Sequence, residues 1–247
     1  MIYPLSRRNA LAFGAAALLA KPAVATPPRP VIVELFTSEG CSSCPPADAY
    51  LKTLKSNPGI IALSYHVDYW DYLGWRDTLG SSEFSQRQMD YAHSRGDMNV
   101  YTPQMVVNGA QHFVGSQKSA VAGGIAAAQF SPSSQWVDIT MSENKTDVTI
   151  DVAAGAATKE ATLWLMAWAP SVAIEIKRGE NAGSTIAYYN VVRKMVPAGM
   201  WHGDATKIVL PKSSVIPGDC KGWVALLQQG KVGPVIGAAT GGVSPSA

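Results

Sequence analysis

Val31-Ile-Val-Glu-Leu-Phe36, Thr37-Ser-Glu-Gly40 and Cys41-Ser-Ser-Cys44-Pro45-Pro46 form one uninterrupted stretch, and its reading decides the fold. The nearly unbroken apolar run is a strand suited to the middle of a sheet buried on both faces. After the turn, Ala47-Asp-Ala-Tyr-Leu-Lys-Thr-Leu-Lys55 places apolar residues at 47, 50, 51 and 54, the helical spacing. The two cysteines therefore stand at a strand-to-helix junction. Two thiols so spaced either exchange a disulfide or share a metal. A helix N-terminus favours a thiolate over a thiol, so Cys41 is read as the nucleophile and Cys44 as the thiol that resolves a mixed disulfide. Proline fits the first turn of a helix but not its interior, so Pro45 and Pro46 put the helix start near Pro45, with Cys41 just ahead of it.

Downstream, Asn57-Pro-Gly59 ends the helix and Ile60-Ile-Ala-Leu-Ser-Tyr65 is a second apolar strand, which makes a parallel β-α-β unit. Ligands meet such sheets at the carboxyl ends of the strands. The first strand ends at the cysteines. The second runs into His66-Val-Asp-Tyr-Trp70-Asp-Tyr-Leu-Gly-Trp75-Arg-Asp77, either a substrate-facing rim or a loop whose aromatics cap the core. His66 by itself reads as a hydrogen-bonded structural histidine. Glu34, an acid within a buried strand, is either at the sheet margin or a tuned proton carrier. Ser81 to Ser94 has helical spacing with a serine N-cap. In Tyr101-Thr-Pro103-Gln-Met-Val-Val-Asn108-Gly109-Ala-Gln-His-Phe-Val114, Asn-Gly between apolar arms signals a tight hairpin. Thr102-Pro103 stands at its head, where proline is tolerated and a cis peptide would present the preceding backbone to a neighbour. Ser119 to Gln129 is an alanine-rich helix.

Upstream, residues 1–25 read as an export signal: Arg7 and Arg8, an apolar stretch from Ala10 to Ala20, and Ala23-Val-Ala25 as a cleavage site. The arginine pair resembles the twin-arginine motif, with a Sec-type leader as the alternative. The mature protein is expected to be periplasmic or secreted, with no stable membrane insertion after cleavage, in a compartment where disulfides persist. The whole chain carries a formal charge of +2, and removing Arg7, Arg8 and Lys21 leaves it slightly negative. No basic field for nucleic acid exists. Three cysteines make a pair plus one, Cys220, in a turn-like setting; it reads as a buried, idle thiol or else a resolving or dimer-forming one.

After a short boundary at 130–134 the period changes from helical to alternating. Roughly eight short strand candidates between turn signals suggest an antiparallel sandwich. Arg178-Gly-Glu-Asn-Ala-Gly183 reads as a structural turn, with anion binding or reach across to the cysteines as alternatives. The expected architecture is an α/β thioredoxin-like domain over residues 26–130 followed by an all-β sandwich domain over 131–247.

The thioredoxin part of that expectation is a resemblance. Strand, C-x-x-C at a helix start, second strand, inserted helix, Thr-Pro hairpin and closing helix together look like the thioredoxin fold. Cys41 and Cys44 match its active-site pair; Thr102 and Pro103 match its cis-proline motif, which in that family lies against the cysteines and binds substrate backbone. Glu34 falls near that fold's buried acid, one residue further from the first cysteine. More specifically, E-L-F-T-S-E-G-C-S-S-C-P-P-A-D, Y-W-D-Y-L-G-W-R-D, Y-T-P-Q-M-V-V-N-G, R-G-E-N-A-G and Y-N-V-V-R resemble the exported thioredoxin-like family catalogued as domain of unknown function 1223. Its name implies no substrate. The expected function is thiol-disulfide exchange with protein thiols or disulfides in the periplasm, with no cofactor and no assigned metal. The alternatives are a copper carrier using Cys41, Cys44 and His66, or a non-catalytic binding module.

Overall fold

A computed structural model describes residues 29–130, 135–156 and 159–246. The export-signal reading at 1–25 and all but the first residue of the boundary at 130–134 lie outside the described residues; residue 130 ends a helix. In chain order the elements are β1 Val31–Thr37, α1 Pro45–Lys55, β2 Ile60–His66, α2 Ser82–Arg95, β3 Gln104–Val107, β4 Gln111–Val114, α3 Lys118–Phe130, β5 Ile139–Glu143, β6 Asp147–Val152, β7 Ala161–Glu175, β8 Thr185–Trp201, β9 Thr206–Pro211, α4 Lys212–Val215, β10 Gly222–Gln229 and β11 Val235–Gly242.

Every residue of β1 is buried, and its two faces have different cover. Val31, Val33 and Leu35 pack with Leu51 of α1 and Val121 and Ile125 of α3. Ile32 and Phe36 face Tyr65, Phe84 and Tyr91, in a core that runs on without a break into Val148, Leu163, Leu165 and Leu226. β1 and β2 are parallel, as the β-α-β reading requires. Ser81 caps α2 by accepting from the Glu83 N–H, and the hairpin turns at Asn108 and Gly109, both with positive φ. That left-handed pair is why Asn-Gly is needed there.

The expected pairing of an α/β thioredoxin-like domain with a following sandwich is corrected by the sheet. One mixed sheet has the order β11-β10-β7-β8-β2-β1-β3-β4, so strands from both halves of the chain lie in it, and β5-β6-β9 form a separate three-stranded sheet. Alternation identified the later strands but not their neighbours. β10 is buried along almost its whole length, the mark of a central strand. β7 and β8 are 15 and 17 residues long, and β10 pairs with β7 only as far as Trp168, so beyond it the two run out past the sheet as a hairpin. The seam between halves is narrow: β2 and β8 pair only at Ser64 and Val191. Side chains reinforce it. Asn190 Nδ2 donates to the Ala62 carbonyl at 2.9 Å, Ser64 Oγ donates to the Tyr189 carbonyl at 3.0 Å, and Arg87 Nη2 donates to Gln228 Oε1 at 2.8 Å.

Candidate functional site

Cys41 and Cys44 are joined as a disulfide just beyond the carboxyl end of β1. Cys44 is the N-cap residue of α1, and Pro45 and Pro46 occupy its first turn. Prolines carry no N–H, while the Cys44 N–H donates to the Cys41 carbonyl and the Ala47 and Asp48 N–H groups both donate to the Cys44 carbonyl. From Cys44 to Asp48 the helix start therefore has no free backbone donor to stabilise a thiolate. Ser42 and Ser43 are exposed beside the disulfide, and Cys41 is 3% and Cys44 0% accessible, so Cys41 is the residue of the pair with any exposure.

Thr102-Pro103 is a cis peptide. The β1–β3 register pairs Phe36 with Gln104, which sets Pro103 beside the end of β1 where the cysteine loop begins. Trp70 joins the two segments. Its Nε1 donates to Thr102 Oγ1 at 2.7 Å, and its Cβ lies so close to Gly40 that a Cβ there would come within 3.2 Å. Trp70 also stacks with Tyr72, which is 76% exposed. The aromatic segment after β2 is thus the rim of the cysteine site.

The tip of the β7–β8 hairpin, Arg178 to Gly183, reaches across to it. Asn181 Nδ2 donates to the carbonyls of Glu39 at 2.8 Å and Cys41 at 3.0 Å. Gly179, at φ +78°, lets the tip pass against Trp75, whose Cβ would lie 3.1 Å from a Cβ there. The reading of this loop as a plain structural turn gives way to its alternative.

The cysteine loop is joined to a buried charged cluster, the Glu39 N–H donating to Asp77 Oδ2 at 2.8 Å and the Asp48 N–H to the Cys44 carbonyl. His66 Nδ1 pairs with Asp77 Oδ2 at 2.9 Å, both side chains fully buried. Burial alone would lower the His66 pKa, but the Asp77 charge and hydrogen bond outweigh it and the net direction is up. Asp77 goes the other way: burial opposes ionisation, and His66 with the Glu39 and Leu79 N–H groups brings it below its ordinary value. Glu39 is raised by burial and by Asp77 against the donors Trp75 Nε1 and Thr78. Asp48, on the buried side of α1, is raised to about 7 by burial, opposed by His66 and the Thr37 hydroxyl. Tyr188 of β8 packs edge-on against the His66 ring, centroids 4.4 Å apart.

Of the residues singled out from sequence, Cys41, Cys44, Thr102 and Pro103 come together. Glu34 is placed differently. Arg87 Nε donates to its Oε1 at 2.8 Å and the Tyr91 hydroxyl donates to its Oε2, all three residues buried. Both oxygens are occupied in an ion-pair network that ties α2 to β10, so Glu34 is neither marginal nor placed to carry protons for the cysteines. Cys220 is a buried free thiol, raised to about 12 by burial and Asp219. Asp48, Asp77, Tyr188 and Asn181 were not singled out as site residues. Asp48 left one signal, an acid four residues after Cys44 beside the apolar face of α1.

Residues 32–228 match the family model described as "Protein of unknown function (DUF1223)". A crystal structure of a protein from Agrobacterium tumefaciens is similar at a TM-score of 0.75 and 31% identity, covering 87% of this chain and 95% of that one. No curated protein matches.

Proposed function

The chain belongs to the DUF1223 family, and we propose that it performs thiol-disulfide exchange on protein thiols or disulfides through Cys41 and Cys44. The observation that carries this reading is the placing of a Cys41–Cys44 disulfide at the carboxyl end of a parallel strand, beside Thr102-Pro103 and under an exposed aromatic rim. This is where ligands approach such sheets. The thioredoxin-like character of the protein, on this reading, belongs to the site rather than to a separately folded domain.

Cys41, the more accessible residue of the pair, forms the mixed disulfide with the partner through its Sγ, and Cys44 Sγ releases it. Thr102-Pro103 offers backbone to the partner chain, while Trp70 and Tyr72 give it an apolar bed. The sequence reading of 1–25 as an export signal supports a periplasmic or secreted location, and no described helix is long and apolar enough to cross a membrane.

The purified mature protein should show a reversible two-thiol change with a defined potential against glutathione, lost in Cys41→Ser and in Cys44→Ser. A disulfide that never forms, alongside tight stoichiometric copper, would overturn the exchange reading. Cys44→Ser should trap protein partners on Cys41, which names the substrates; fractionation of cells tests the location.

A further inference from the structure

Behind the disulfide is a set of buried polar groups for which exchange at Cys41 gives no role. Asp48 stands four residues after Cys44, and side chains four apart stack on one helix face. Cys44 is 0% and Asp48 3% exposed. Among the described residues no well-formed hydrogen bond reaches either carboxyl oxygen of Asp48, which the Thr37 hydroxyl approaches without making one, and none reaches Thr37 Oγ1, His66 Nε2 or the Tyr188 hydroxyl. Native proteins rarely leave such atoms unpaired, and where several gather the cause is commonly functional.

These groups converge from β1, α1, β2 and β8, and their charges act on one another. Asp48 is influenced by His66 and Asp77, His66 by Asp77, Asp48 and Glu39, and Tyr188 by Asp48, Glu39 and Asp77. A cation fits poorly. Ligand atoms of Glu39, His66 and Asp77 lie within 4.8 Å of one another. Yet both oxygens of Glu39 and both of Asp77 already accept hydrogen bonds, from Trp75 and Thr78 and from His66, Leu79 and Glu39. Of that trio only His66 keeps an unpartnered atom, its far nitrogen, and the other unpartnered atoms of the cluster are the Asp48 carboxyl and the hydroxyls of Thr37 and Tyr188, a set that suits a proton better than a metal.

We propose that Asp48 and His66 form a proton relay for the resolving thiol: Asp48 takes the proton of Cys44, and His66, oriented by Asp77, supplies the positive charge that steadies the resulting state. The relay rests on the exchange reading. Once Cys41 Sγ is bonded to a partner sulfur, the Cys44 thiol gives its proton to the Asp48 carboxylate. Cys44 Sγ then bonds to Cys41 Sγ, and the bond from Cys41 to the partner breaks. The partner sulfur leaves with the electron pair as a thiolate. Two electrons have passed from the cysteine pair to the partner's former disulfide, and Asp48 later yields its proton to solvent. In the opposite direction Asp48 returns the proton to Cys44. Tyr188 closes the far side of the relay.

The test uses the reduced mature protein and an aromatic disulfide whose released thiolate is coloured. The first release reports attack by Cys41, the second reports attack by Cys44. In the wild type the second phase should accelerate through an inflection near pH 7, the value to which Asp48 is raised. Asp48→Asn should abolish the inflection and slow the second phase about tenfold or more at pH 7, leaving the first phase unchanged; Asp48→Glu should keep an inflection. Because His66 opposes the rise at Asp48, His66→Gln should move the inflection to higher pH, and it reads the relay without altering Asp48. A second phase in Asp48→Asn with the wild-type profile overturns the relay while leaving exchange intact. Absence of both phases in the wild type overturns the exchange reading itself.

Discussion

Asn181 donates a hydrogen bond from the tip of the β7–β8 hairpin to the carbonyl of Cys41, 140 residues earlier in the chain and 3.0 Å away. The same amide holds the Glu39 carbonyl, so one side chain fixes both ends of the turn that leads into the disulfide. Asn181→Ala should destabilise the fold by only about 1–2 kcal/mol, yet make the disulfide reducible several-fold faster by a small thiol. Denaturant unfolding and the rate of reduction separate the two effects. Equal rates in wild type and variant would show that the tip is mere packing.

Trp70 touches both the cysteine loop and the Thr102-Pro103 turn. Trp70→Phe keeps most of the ring but removes the donor to Thr102. We expect exchange with a protein substrate to fall several-fold, chiefly through KM, while exchange with a small disulfide changes little. A parallel loss with both substrates would place Trp70 in the chemistry rather than in partner binding.

The Glu34–Arg87 pair is fully buried. Glu34→Gln leaves the Arg87 charge unmatched and should destabilise by about 3–5 kcal/mol, measured by urea unfolding. Replacing both, as Glu34→Leu with Arg87→Met, should recover much of that. Exchange kinetics of any folded Glu34 variant should match the wild type, since its oxygens are committed to Arg87 and Tyr91.

Asp48 makes stability depend on pH in an uncommon direction for an acid. Burial raises its carboxyl from 3.8 to about 7. Between those values the native protein holds a proton that the unfolded chain has released. The stabilisation is complete below the lower value and is lost as pH rises through the upper one. At pH 8, Asp48→Asn should therefore be the more stable protein, by about 2–4 kcal/mol. At pH 4 the difference should nearly vanish. Thermal unfolding at the two pH values checks the sign.

What the sequence disclosed followed the range of the forces involved. The Cys41–Cys44 junction, the parallel β1–β2 pair, the Ser81 cap and the Asn108-Gly109 turn are set by neighbours a few residues apart, and period and turn chemistry report them. The large sheet is not local. Nothing in the alternation of Thr185–Trp201 says that Val191 will pair with Ser64, so strands that belong beside β2 read as a sandwich of their own. The same distance hid half of the site. Asn181 and Tyr188 reach it only through a hairpin folded back over the first half, and Asp77 matters only because His66 is opposite. Glu34 was conspicuous for its burial, but its partner lay on a helix whose own pattern gave no hint of an inward arginine.

The hairpin tip has a consequence for anyone who would handle the cysteine site by itself. Cutting this chain after residue 130 would keep both cysteines and Thr102-Pro103, yet strip away Asn181, Tyr188 and Gln228, and with them the brace on the cysteine loop, one wall of the acid cluster and a ligand of the buried arginine. The centre is not a portable cassette. Grafting, tagging or truncation must respect the polypeptide as a whole, and any sequence drift in the hairpin tip is drift in the reactivity of a disulfide far away in the gene.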